Sequence, residues 1–152
     1  MNKNAKLNMP STITIPNGEK PTPTFSAAEM QRRIDSLRVL MSTLNVDTTL
    51  MTSYHNINYY SDFLYCAFGR KYGLVITHDN QTSVTANIDG GQPYRRTFGE
   101  NLVYTDWQND NFYKACAQLI KGKQRVGIEF DSVPLEMLEK LKGAMPQCEF
   151  VD

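Results

Sequence analysis

Residues 125–151 read RVGIEFDSVPLEMLEKLKGAMPQCEFV, and this stretch decides the fold. Residues 125–130 have the apolar character of a buried strand. Pro134 has no N–H to lose in a first helical turn, so it opens a helix over residues 134–142. Residues 148–151 return as a strand. Two strands joined through a helix are paired in parallel by a crossover. The same alternation extends upstream. Residues 102–104 form a short strand, and residues 111–121 form a helix with Phe112, Ala115, Cys116, Leu119 and Ile120 on its apolar side. Strand, helix, strand, helix, strand predicts parallel pairing in a sheet covered by helices.

The N-terminal half adds antiparallel pairing. Residues 72–77, Tyr-Gly-Leu-Val-Ile-Thr, form a buried strand. Residues 78–81 make a four-residue turn, and residues 82–88 return as the second arm of a hairpin. Gly90-Gly91 breaks the chain. Residues 48–52 form another strand. Residues 54–62 are too polar for a core strand and too aromatic for a simple linker. Ahead of these lies a helix announced by Ser26-Ala27-Ala28-Glu29, a capping box, with Phe25 and Met30 spaced as a hydrophobic staple. Met30, Ile34, Leu37, Met41 and Leu44 share one stripe, and Arg32, Arg33, Asp35 and Arg38 fall mostly off it. Asn45 is the helix stop. The fold class is therefore α/β, a mixed β-sheet flanked by helices. Residues 25–152 make one domain. Residues 1–24, with four of the seven prolines, make an extended arm with a short strand at residues 12–15; the arm is either disordered or laid on a neighbouring surface.

Sixteen basic residues balance sixteen acidic ones, which gives no electrostatic case for nucleic acid or an anionic membrane. No apolar run approaches the roughly 20 residues that cross a bilayer, and the N-terminus lacks the apolar core of a secretory signal. Three widely spaced cysteines, Cys66, Cys116 and Cys148, fit reduced thiols in the cytoplasm. Asn80-Gln81-Thr82 matches a glycosylation sequon by chance in that setting.

No nucleophile motif, metal-ligand spacing or phosphate-binding glycine loop is present. His78 reads as a turn residue and His55 as a structural histidine. Cys66 reads as a small buried apolar residue. Glu129 and Asp131 could act as acid and base at a strand end, but without a histidine the pair is weak evidence and a solvated strand end is the simpler account. Arg95 and Arg96 read as surface salt-bridge residues, with anion binding or subunit bridging as the alternatives.

Residues 54–72 stand apart. They hold Tyr54, Tyr59, Tyr60, Phe63, Tyr65, Phe68 and Tyr72, seven of the fifteen Tyr and Phe residues. The run leads into Phe68-Gly69-Arg70-Lys71. An arginine binds a carboxylate through two parallel N–H bonds, and a neighbouring ring covers the rest of a small anionic ligand. Gly69 lets the backbone turn between the two. A satellite hydrophobic core with one surface arginine fits the same composition.

The string from Thr52-Ser53-Tyr54-His55-Asn56 through Ile57-Asn58-Tyr59-Tyr60-Ser61-Asp62 to Phe63-Leu64-Tyr65-Cys66, with Phe68-Gly69-Arg70, resembles the creatinase family. So do Thr24-Phe25-Ser26-Ala27, Ala86-Asn87-Ile88-Asp89-Gly90-Gly91-Gln92-Pro93 with Arg95-Arg96-Thr97, and Val103-Tyr104-Thr105-Asp106-Trp107-Gln108. Asn56-Ile57-x-Tyr59 also occurs in prolidases and Xaa-Pro aminopeptidases. The resemblance implies a creatinase/prolidase N-terminal domain with a ribonuclease H-like motif. It implies a C-terminal pita-bread domain, absent here, that carries the catalytic histidine, so this chain holds no catalytic residue. Carried over, Phe68 and Arg70 bind substrate across the subunit boundary of a homodimer: Arg70 takes the creatine carboxylate and Phe68 packs on the substrate. The reaction implied is hydrolysis of creatine to sarcosine and urea, without metal or other cofactor. The alternatives are the matching domain of a metal-dependent Xaa-Pro dipeptidase or aminopeptidase, and a stand-alone binding or dimerisation module.

Overall fold

The computed structural model describes residues 9–64, 69–122 and 124–152. Among these, seven strands form one mixed sheet in the order β1-β5-β4-β3-β2-β6-β7. They are β1 (Thr12–Ile13), β2 (Thr48–Met51), β3 (Gly73–Thr77), β4 (Gln81–Ala86), β5 (Glu100–Tyr104), β6 (Arg125–Ile128) and β7 (Glu149–Val151). The helices are α1 (Ala27–Thr43), α2 (Tyr54–Ser61), α3 (Gln92–Arg96), α4 (Asn111–Leu119) and α5 (Leu135–Ala144). β3 runs antiparallel to both β2 and β4, while β4–β5, β2–β6 and β6–β7 are parallel pairs.

The expected crossover through α5 is present, since β6 and β7 are paired in register Val126↔Phe150. The crossover through α4 is longer than the sequence suggests. β5 and β6 point the same way but lie on opposite sides of β4, β3 and β2. Hydrophobic alternation fixes strand direction and burial, and it carries no information about which strand is the neighbour.

Side-chain alternation on the strands sends residues to two cores. Leu74 and Ile76 of β3 join Ile34, Leu37 and Met41 of α1 and Ile57 of α2 on one face. Val75 joins Leu50, Val84, Tyr104, Phe112, Cys116 and Leu141 on the other, under α4 and α5. Burial pushes the Cys116 thiol far up, so it is an inert core residue.

Four local readings change. Residues 54–61 form α2, capped by Ser53 Oγ accepting from Asn56 N at 3.2 Å. The hairpin turn covers residues 78–80, because Gln81 already belongs to β4. Residues 87–89 turn into a 3-10 helix rather than extending the strand. At α1, Ser26 Oγ accepts from Glu29 N at 3.2 Å as the capping box requires. The Glu29 carboxylate instead takes Arg32 and Arg33, whose hydrogen bonds hold it down at about 2. Asn45 does end the helix, in the left-handed region at φ 54.

Arg33 is the larger surprise on α1, because it is 8% exposed. Its Nε donates to Glu29 Oε1 and its Nη1 to Tyr59 O, both at 2.9 Å. Its guanidinium lies 4.0 Å from the Phe25 ring centroid and 4.4 Å from that of Tyr59. Residue 33 sits on the flank of the apolar stripe, and α2 covers that flank. Arg33→Ala removes a charge-assisted tie between two helices and should cost about 2 kcal/mol. A thermal melt should show Tm lower by roughly 4–8 °C for a chain of this size.

The described part of the arm lies along its own domain. β1 extends the sheet beside β5, in register Thr12↔Tyr104. Thr105 N donates to Ser11 O, and Thr12 Oγ1 to Gln118 Oε1.

Candidate functional site

Parallel strands of an α/β sheet present their carboxyl ends to ligands. Here β4 and β5 end side by side, with Ala86 opposite Tyr104. β3 runs the other way, so the residues just before it arrive at that same edge. Arg70 is one of them. Its segment is held by Tyr104 Oη donating to Lys71 O at 2.9 Å and by Tyr72 Oη donating to Asp89 Oδ2 at 2.5 Å. Gly69, at φ 72, occupies the left-handed region where a side chain would be strained.

The Arg70 guanidinium lies over the Trp107 ring, 4.7 Å from its centroid. Trp107 opens a 3-10 turn, Trp107–Asn109, directly after β5. Asp106 and Asp110 on either side of the turn both have positive φ, 39° and 56°. Asn109 Nδ2 donates to Asp106 Oδ2, and Asp110 Oδ1 accepts from Lys140 Nζ at 2.8 Å. Arg70, Trp107, Tyr104, Asp106 and residues 86–88 line a cavity of about 200 Å³. Among the described residues, no hydrogen bond or ion pair occupies the Arg70 N–H groups. Burial pushes the Tyr104 phenol up to about 12, opposed in part by the Arg70 charge, so it stays neutral near pH 7. The site thus sets the Arg70 cation on an aromatic support beside the Asp106 carboxylate, with its N–H donors unoccupied among the described residues, a state in which an arginine can take a small carboxylate.

Phe68 and Cys66 lie outside the described residues. His55 is exposed in the first turn of α2; His78 is exposed in the hairpin turn, its Nε2 3.3 Å from Val46 O. Neither histidine lines the cavity at Arg70.

Asp131 is exposed, as a solvated strand end would be, but the reading of Glu129 is corrected. Glu129 is neither an acid–base partner nor a solvated strand end. Its carboxylate accepts from Thr52 N at 2.6 Å, Ser53 N at 2.8 Å, Asn56 Nδ2 at 2.5 Å and Ser53 Oγ. Burial alone would raise its pKa, but the bonds from Ser53, Thr52 and Asn56 outweigh this and hold it below the ordinary value. A carboxylate saturated with donors anchors the start of α2 to the end of β6. Among the described residues Arg95 makes no ion pair; its Nη1 donates to Asn17 Oδ1 at 2.8 Å, tying α3 to the arm. Among the described residues, no three His, Cys, Asp or Glu side chains converge as metal ligands, and no helix is long and apolar enough to cross a membrane.

Sequence reasoning passed over Trp107 as anything but part of a similar block. The available signal was the sole tryptophan of the chain in a polar stretch just past a strand's carboxyl end.

Known proteins similar to this chain fall into two groups. The creatinase/prolidase N-terminal domain family matches residues 33–152. The creatinase of Bacillus sp. (strain B-0618) is 48% identical over 139 residues, covering 89% of this chain and 34% of that enzyme. This chain therefore spans about a third of that relative's length. The N-terminal domain of an X-Pro dipeptidase from Streptococcus pyogenes superposes with a TM-score of 0.68 at 15% identity, over 79% of this chain and 92% of that one. The Pyrococcus horikoshii prolidase superposes with a TM-score of 0.63 at 22% identity, over 80% of this chain and 33% of that one. The two solved structures share the fold; the identity to the Bacillus enzyme is of a different order.

Proposed function

The chain belongs to the creatinase/prolidase N-terminal domain family, and on that premise we propose that it is the substrate-completing, dimer-forming domain of a creatinase. The observation that carries the reading is the Arg70 guanidinium, set over Trp107 at the carboxyl ends of β4 and β5, with its donors unoccupied among the described residues. In this reading Arg70 binds the creatine carboxylate and Phe68 packs against the substrate. A C-terminal pita-bread domain, contributed by the partner subunit of a cytoplasmic homodimer, supplies the acid–base histidine that cleaves creatine to sarcosine and urea. The chain contributes specificity and binding energy to a reaction that it does not catalyse itself. The 48% identity to the Bacillus creatinase supports this substrate over a dipeptide.

A metal-dependent Xaa-Pro dipeptidase is the second reading, favoured by the solved structures that share the fold. Its metal ligands would belong to the catalytic domain. The intact two-domain enzyme separates the two readings. Urea release from creatine that survives chelation is the expected result; metal-dependent cleavage of Xaa-Pro dipeptides without urea release would replace creatinase by peptidase.

A further inference from the structure

We propose that Trp107 is the positioning residue of the Arg70 subsite, holding the guanidinium face so that its N–H donors stay presented to a carboxylate. This inference rests on the creatinase reading above and adds to it a residue that does not itself hold the carboxylate.

Three observations support it. First, the guanidinium carbon lies over the ring, 4.7 Å from its centroid, and among the described residues Arg70 makes no hydrogen bond. An ion pair in this place would consume the donors that a ligand carboxylate needs, whereas a ring under the guanidinium leaves them free. Second, Trp107 is 52% exposed in a chain with no other tryptophan. A core role does not account for a large apolar ring left half in water. Third, the turn that presents it is held at both ends. Asp106 and Asp110 carry positive φ, a conformation that costs non-glycine residues energy. The turn is fixed by Asn109 on Asp106, and by Lys140 on Asp110 at 2.8 Å. Lys140 belongs to α5, so the ring's placement is tied to the helical layer.

The cost that Trp107 removes is entropic. A free arginine side chain samples many rotamers, and a bidentate contact must otherwise overcome that entropy on binding. With the guanidinium already stacked, part of that ordering precedes the substrate. The effect should fall on binding rather than on the chemical step, because the contact is made alike in the bound substrate and its transition state.

The test has two arms. In the 152-residue chain, the Arg70 Nε–Hε signal should be shifted upfield by the indole ring current, and Trp107→Ala should abolish that shift. In the intact enzyme, Trp107→Ala should raise KM for creatine about three- to ten-fold with kcat little changed, and Trp107→Phe should restore KM to within about two-fold. Absence of the ring-current shift overturns the stacking. A KM raised by Arg70→Ala but unmoved by Trp107→Ala overturns the positioning role and leaves the creatinase reading intact. A KM unmoved by Arg70→Ala overturns the creatinase reading and the positioning role with it. Trp107→Phe keeps an aromatic plane in the turn, so a loss confined to Trp107→Ala with an unchanged melting curve marks a lost support rather than a lost fold.

Discussion

Arg70→Ala should raise KM for creatine on the order of 100-fold in the intact enzyme. The substitution removes a charged, two-donor contact to a carboxylate, worth about 3 kcal/mol when the site is closed from water. The local structure should survive, because the segment is anchored by main-chain and tyrosine contacts that do not use the guanidinium: Tyr104 Oη to Lys71 O, and Tyr72 Oη to Asp89. Arg70→Lys should recover only part of the loss, since an ammonium is a point charge without the planar fork. Steady-state kinetics with creatine measure both. A KM within two-fold of the wild type for Arg70→Ala, by the factor-of-ten rule for about 1.4 kcal/mol, would leave no room for a carboxylate contact.

Glu129→Ala should be the most destabilising single change outside the cores. It leaves Thr52 N, Ser53 N and Asn56 Nδ2 without their acceptor in a partly buried place. About 3 kcal/mol follows, or a Tm lower by roughly 6–12 °C. The pH dependence has a definite sign. The folded-state pKa is lowered, so the stabilisation is fully present above the unfolded-state value near 4.5 and is lost as pH falls through the folded value. The wild type should therefore lose stability on acidification below about pH 4.5, and Glu129→Gln should lack that component of the loss. A melting temperature for Glu129→Ala equal to that of the wild type would contradict the anchoring role.

The two cases show what a sequence can and cannot disclose here. Arg70 could be singled out because its chemistry is local: an aromatic, a glycine and an arginine in succession suggest a kind of ligand before any fold is known. Glu129 was not legible, because its partners are more than seventy residues away. Beside Asp131 it resembles a catalytic pair, and only the pairing of β2 with β6 brings Ser53 to it. The β6–α5–β7 unit was readable for the same local reason as Arg70, its periodicity and its opening proline. The neighbours of β5 were not, since register and strand order are decided by the two cores together. Residues 54–61 were ambiguous because their apolar residues are few. One buried isoleucine, Ile57, and a serine cap are enough for a short helix when α1 supplies the other half of the packing. Trp107 became meaningful only once β4 and β5 were seen to end beside Arg70.

The central claim is that Arg70 serves an active site whose catalytic histidine belongs to the other subunit, and mixed dimers test it most directly. Arg70→Ala protomers are combined with protomers whose catalytic-domain histidine is replaced, each inactive or severely impaired alone, and urea release is measured after subunit exchange. If Arg70 acts across the boundary, each mixed dimer regains one complete site, and random mixing restores about a quarter of wild-type activity. Activity no higher than the sum of the two separate variants, in samples where mixed dimers have formed, would contradict the account.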